Sequence, residues 1–240
     1  FNNVTIAQVV LDQAGERSLT IPISDTALIP LNADGSHSLG ILLDAGLHCS
    51  SDFQTNVVLR NSSILAFPHE DRPLPLDLQQ LPQPLFQQSL EEDQALLVVP
   101  DAPSASELRA AIITAATLSR QTFGELPLTL VPERDLSARD RADNHLVFVG
   151  HPGSFAELEA IDWSAPWRGQ GFAAPAYEAG DGLIQLAASP WSPTRAILLV
   201  SGDSDEAVLK AAQALSTERL DPATPQVAVV AEVRSDEMPT

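Results

Sequence analysis

Basic side chains are scarce in this 240-residue chain: 13 lysines and arginines stand against 32 aspartates and glutamates, and Lys210 is its single lysine. At a formal charge of -19 it has no basic stripe to follow a phosphate backbone, so nucleic acid is excluded as an expected partner. The acidity reads most simply as colloidal solubility, ahead of a dedicated site for cations or basic proteins. Cysteine is nearly absent as well. Cys49 alone rules out an internal disulfide and any multi-cysteine metal site, leaves the redox compartment open, and reads as a packed small side chain. No run reaches the roughly 18 apolar residues of a membrane-spanning helix, and no basic-then-apolar leader opens the chain. A soluble segment is therefore expected. A start at Phe1 without an initiator methionine predicts that upstream sequence was removed, and it leaves room for membrane anchors beyond either end.

With 44% apolar residues the chain can bury one generous core or two modest ones, and two domains are expected. From Val4 to about Phe67, short β-type runs (VTIAQVVL, SLTIPIS, SLGILLDAGL, FQTNVVLRNSSILAF) are punctuated by turn residues, with Gly15 suited to a hairpin turn. Residues 1–70 are predicted to form part of an antiparallel β-sandwich. Residues 71–94, broken by Pro73, Pro75, Pro82 and Pro84 and rich in glutamine, read as a linker packed along the surface.

From residue 95 to 234 the pattern alternates between strand and helix. ALLVVP (Ala95 to Pro100) has the continuous apolar character of a strand buried on both faces of a parallel sheet. A helix follows, with Ser104 and Glu107 at capping-box spacing, Leu108, Ala111, Ile112, Ala115 and Leu118 on its apolar face, and Gly124 as its stop. Leu128 to Val131 and His145 to Gly150 read as strands separated by a charged loop, ERDLSARDRADN. GLIQLAAS, RAILLVSG and QVAVVAEV read as three more, and a helix capped at Asp203, with Glu206 as its box partner, precedes the last. The pattern predicts a three-layer α/β domain.

Several hooks for catalysis have structural readings that fit better. Gly202-Asp203-Ser204 lacks the paired glycines of a nucleophile elbow, and Asp203 serves as a helix cap. Asp203-Ser204-Asp205 imitates a metal-holding aspartate pair, but acidic residues at a helix start are stabilised by the dipole alone. His37, His48, His69, His145 and His151 form no HxH or HExxH pair, so no metal site is expected. His48 and Cys49, adjacent on a strand, point to opposite faces and cannot share a proton. Gly150-His151-Pro152-Gly153 follows a strand where open α/β sheets bind ligands, yet it lacks a nucleotide fingerprint and reads as a strand-to-helix turn. Trp163, Trp167, Phe172 and Tyr177 gather in DWSAPWRGQGFAAPAY. They could stack on sugar rings or anchor an irregular loop, and anchoring is the stronger reading.

The stretch Gly182 to Leu215, GLIQLAASPWSPTRAILLVSGDSDEAVLKAAQAL, resembles the BcsB family of bacterial cellulose synthase accessory proteins in its order of strand, Ser-Pro-Trp-x-Pro turn, Arg-Ala, apolar strand, Ser-Gly and acidic-capped helix. RADNHLVFVGHPG, HCSSDFQTNVVLRNSSILAF and RPLPLDLQQLPQPLF are similar to further stretches of that family. The resemblance implies a jelly-roll-like, carbohydrate-binding-type module followed by a flavodoxin-like one, in an extracytoplasmic protein held to the membrane through segments outside this chain. It implies partnership with the catalytic cellulose synthase subunit, which polymerises from UDP-glucose, and contact with the emerging glucan. The chain would be a short member of a family that usually repeats the module pair. Cyclic di-GMP binding is not expected, because the arginine-rich motifs it needs are absent. Within the family motif, Ser189, Pro190, Trp191 and Pro193 suit a rigid connection with Trp191 covering the sheet edge, and Arg195 is expected to steady the turn through carbonyls or a nearby carboxylate. The reading is therefore a non-catalytic accessory module with no cofactor. A carbohydrate esterase or hydrolase and a free carbohydrate-binding module are the competing readings.

Overall fold

The apolar run ALLVV becomes the strand β1 (Ala95–Val99), with four of its five residues buried, in a computed structural model that describes residues 1–10, 15–16, 18–24, 37–42, 58, 60, 62–64, 66, 74–87, 93–217 and 220–233. The chain divides into two units, Phe1–Pro68 and His69–Thr240.

In the first unit the described residues carry no strand. Among its described contacts, Asn2 Oδ1 accepts from Ser38 N at 2.9 Å, Asn2 N donates to Ser38 O at 2.8 Å, the Phe1 ring lies 5.3 Å from that of His37, and Arg60 pairs with Glu16 at 2.8 Å. Much of the β-rich module expected over residues 1–70, including His48, Cys49 and most of FQTNVVLR, lies outside the described residues, as does His69.

The second unit is a mixed α/β domain. Its strands are β1, β2 (Leu128–Pro132), β3 (His145–Val149), β4 (Gly182–Ala188), β5 (Ala196–Gly202) and β6 (Val227–Val230), in the order β2-β1-β3-β5-β4-β6. The first four in that order run parallel, whereas β4 is antiparallel to both its neighbours. A wholly parallel flavodoxin-like sheet is thus not what forms. The short connection from Ser189 to Arg195 leaves room only for a hairpin between β4 and β5, because a parallel return needs a dozen residues or more.

Two helices, α1 (Ala105–Gln121) and, after β5, α3 (Asp205–Ser216), share one face of the sheet. Val99, Val147, Leu198 and Val200 from the strands pack there against Ala110, Ala111 and Leu118 of α1 and Val208, Ala211 and Leu215 of α3. The capping box of α1 forms as its spacing predicts, with Glu107 N donating to Ser104 Oγ and Ser104 N to Glu107 Oε2. Its buried face differs from the expected one. Ala110, Ala111, Thr114, Thr117 and Leu118 are buried, while Ile112 is 66% exposed and Leu108 is also exposed. Small residues are buried there because α1 packs against the alanine-rich α3, and close helix packing favours short side chains at the contact. The N-cap of α3 is Ser204, which accepts from Ala207 N, and not Asp203.

Short elements and irregular chain cover the opposite face. The loop expected between β2 and β3 contains a 3-10 turn, Glu133–Asp135, and a helix α2 (Ala138–Asp143) with its own capping box, Ser137 and Asp140. Six residues long, with Ala138 and Ala142 as its only apolar side chains, α2 is too short to show a helical period in the sequence. Beyond β3 the turn leads into a 3-10 turn, Pro152–Ser154, where a full helix was expected. The segment that follows packs Phe155, Leu158, Ile161, Ala165 and Phe172 onto Val98, Phe148, Leu183 and Leu199 of the sheet.

Candidate functional site

Open α/β sheets bind ligands at the carboxyl ends of neighbouring strands whose connections leave in opposite directions. In this sheet β1 and β3 are such neighbours, since the chain departs from β1 towards β2 and returns on the other side. The position is filled from within. Glu107, 5% exposed, accepts from His151 N through Oε1 at 2.9 Å and from Ser104 N through Oε2 at 2.8 Å. Gly150 has φ +153°, and a Cβ there would lie 2.9 Å from both Glu107 Oε1 and the Pro100 ring. The carboxylate thus takes up amide N–H donors at the helix start that a phosphate would otherwise seek. His151 Nδ1 accepts from Gly153 N at 3.1 Å, so the GHPG segment is committed to its own turn.

Along the same sheet edge, β5 ends in Gly202, and Asp203 Oδ2 accepts from Gly180 N at 2.8 Å. Ser204 is engaged as the helix cap. Lys210 Nζ donates to Gly180 O at 2.7 Å and Ala231 O at 2.8 Å, and stands 4.0 Å from Asp181 Oδ1. Burial, reinforced by the negative charge of Asp203, pushes the Tyr177 phenol up to about 12. Asp203, Ser204 and His151, the set a hydrolase would need to join, are each bonded to a different structural partner.

The aromatic segment links these places. His151, Trp167, Phe172 and Tyr177 stack edge to face in succession, at centroid separations of 5.3, 5.1 and 5.4 Å. Phe172 is buried; Trp163, Trp167 and Tyr177 are half-buried against the same core. Trp163 Nε1 donates to Leu158 O at 3.0 Å. Gln185, buried in mid-strand β4, grips the segment by both amide atoms: Nε2 donates to Ala165 O at 3.1 Å and Oε1 accepts from Ala165 N at 3.2 Å. A buried amide needs both its donor and acceptor paired, and this clamp supplies both partners. Sequence reasoning missed Gln185, although one glutamine inside GLIQLAAS is the kind of interruption that marks such a clamp.

The family-motif residues lie at the other end of the sheet. Ser189 N donates to Arg195 O at 2.9 Å, closing the hairpin, and Ser189 Oγ accepts from Trp191 N at 3.2 Å. Pro190 and Pro193 are exposed on the turn. Trp191 is half-buried, with the Arg141 guanidinium 5.5 Å above its ring; Arg141 also pairs with Glu157. Arg195 Nη1 donates to Asp93 Oδ1 at 3.1 Å and lies 3.3 Å from His145 Nε2. His145 Nδ1 accepts from Ala196 N at 3.0 Å. Burial first, then the Arg195 cation, lowers the His145 imidazole to about 4, against the opposing pull of Asp93. Asp93, His145 and Arg195 thereby tie the segment entering β1 to the starts of β3 and β5. Among the described residues no group of His, Cys, Asp and Glu could hold a metal ion, and no helix is long and apolar enough to cross a membrane.

Comparison with known families gives a match to the family model described as cellulose synthase BcsB, first FD domain, over residues 77–229, well over half of the chain. No curated protein matches it.

Proposed function

Since the chain belongs to the cellulose synthase BcsB family, whose role is that of an accessory subunit associated with the catalytic synthase subunit, we propose that it acts without chemistry of its own, by contacts to the synthase and to the emerging glucan on the outer side of the membrane. The observation that carries this reading is the Glu107 carboxylate seated between the ends of β1 and β3. A site that feeds its own carboxylate to the amides of the switch point offers no cradle to a nucleotide sugar or a dinucleotide. Asp203 Oδ2 and Ser204 Oγ at that edge likewise hold a turn and a helix end. Trp163, Trp167, Phe172 and Tyr177 cover the sheet first, and the half-buried rings present their free edges to sugar. The β-rich module expected over residues 1–70 would supply further carbohydrate contact; residues 71–94, expected as a surface linker, instead bury Leu78 and Leu85 in the core of the α/β domain and so act as part of it.

The test is polymer synthesis by the intact synthase complex. Asp203→Asn, Ser204→Ala and His151→Ala, introduced singly into the full accessory subunit, are expected to leave incorporation of glucose from UDP-glucose within about twofold, since catalysis by a positioned acid or base is worth about 100-fold or more. Loss of about a hundredfold in any one of them, with the complex still assembled, would convert the reading to the hydrolase or esterase alternative.

A further inference from the structure

Phe123 is 90% exposed and has φ +52°, a combination that folding does not reward. Bulky L residues avoid the left-handed region, and an exposed phenyl ring repays nothing in burial. The backbone nonetheless holds it there firmly. Thr122, buried beside it, donates its Oγ1 hydrogen to Leu118 O at 2.9 Å; Phe123 N donates to Arg120 O at 3.2 Å; and Gly124 N donates to Ser119 O at 2.8 Å. Strained residues kept in place by their neighbours point to function when packing does not explain them.

The ring stands on the rim of a groove of about 550 Å³ at the C-terminal ends of α1 and α3. That volume falls within the roughly 300–1,000 Å³ of small-molecule sites. Buried Leu78 and Leu215 line its floor, and Gln79, Arg120 and Gln121 join Phe123 around it. Gln121 Oε1 is shielded from solvent and accepts no hydrogen bond from any described group. The Arg120 guanidinium is anchored through Nη2 to Ser216 O at 3.1 Å. Because α1 starts after the end of β1 and finishes before the start of β2, the groove lies at the end of the sheet opposite the Glu107 switch point.

We infer that this groove is a saccharide subsite, in which Phe123 stacks on the C–H face of a neutral sugar ring while Gln121 Oε1 accepts a hydrogen bond from a sugar hydroxyl. The inference rests on the glucan-contact reading and gives it a place. Anions do not suit the groove, because two helices turn their negative dipole ends to it and the chain carries a charge of -19. A small cation does not suit it either, with Arg120 at the wall. A neutral polyol suits all of it: an apolar floor for C–H groups, a flat ring on the rim, and an unused acceptor for a hydroxyl.

The test is titration of the chain with cellohexaose, followed by calorimetry and saturation-transfer NMR. Saturable binding is expected, with saturation transferred from the phenyl protons of Phe123. Phe123→Ala and Gln121→Leu are each expected to weaken it at least about tenfold, and Phe123→Trp to restore or tighten it. Phe123 contributes no buried packing, so Phe123→Ala is expected to keep the thermal midpoint of the parent, which separates lost binding from lost folding. Undiminished binding in Phe123→Ala would overturn the subsite and leave the glucan-contact reading intact. Absence of saturable binding by the parent chain would sink both.

Discussion

Gly182 and Gly202 stand opposite each other across β4 and β5, and α3 comes down on both of them. A Cβ on Gly202 would lie 2.4 Å from Ala207 Cβ, and one on Gly182 would lie 2.8 Å from Ala207 O and from Ala211 N. The helix seat is therefore set by backbone contact at this pair, and the alanines of α3 are the largest side chains the approach admits.

Gly202→Ala is accordingly expected to destabilise the domain by about 1–3 kcal/mol, the usual scale of overpacking. Chemical denaturation should show a lower midpoint with an unchanged slope. An unchanged midpoint would mean that α3 can lift away from the sheet without cost.

The buried group of Asp93, His145 and Arg195 predicts a dependence of stability on pH. His145 takes its proton at about 4 in the folded state, and an unfolded histidine does so near 6.5. Between these values the unfolded chain binds more protons, so stability rises with pH. The contribution is full above about 6.5 and is lost as pH falls towards 4. Arg195→Met removes the cation that opposes imidazolium while Asp93 stays, so NMR titration of the His145 ring should show its pKa moving upward. The same variant leaves Asp93 with the Gln87 N–H and His145 but without its guanidinium, at a cost of about 1–3 kcal/mol.

Tyr177 is the one tyrosine of the chain, so ultraviolet titration of phenolate reports on it alone. Its ionisation is expected near 12, in place of about 10 in an unfolded chain. The folded state keeps the proton longer, so this contribution to stability is present below about 10 and lost as pH rises towards 12. Asp203→Asn should bring the titration to lower pH, because it removes the neighbouring negative charge. A midpoint near 10 in the parent chain would show the phenol to be solvated.

Local signals are legible where one short segment contains the whole cause. The Ser104 and Glu107 box is three residues wide, and the apolar runs of β1, β3 and β5 are buried on both faces. The cap of α3 falls one residue later than the sequence suggests, since Asp203 and Ser204 are both good caps and only the backbone decides between them. On α1, hydrophobicity favours Leu108 and Ile112 for the buried face. The structure buries the alanines, because the neighbouring helix lies close. At the candidate site, the role of Arg195 needs a carboxylate that sequence cannot name, as Asp93 is 102 positions away. Phe123 carries no signal in the sequence, because exposure and a positive φ are properties of coordinates.

What the sequence determined alone is the alternation of strands and capped helices and the family motif from Gly182 to Leu215: periodicity, caps and turn residues act over a few positions and are written directly in the chain. Tertiary structure decided the reversal of β4, the carboxylate placed at the switch point, and the groove beneath Phe123. Each of these depends on atoms brought together from distant positions, and only the packing of helices on the sheet fixes which groups meet and which are left facing outward.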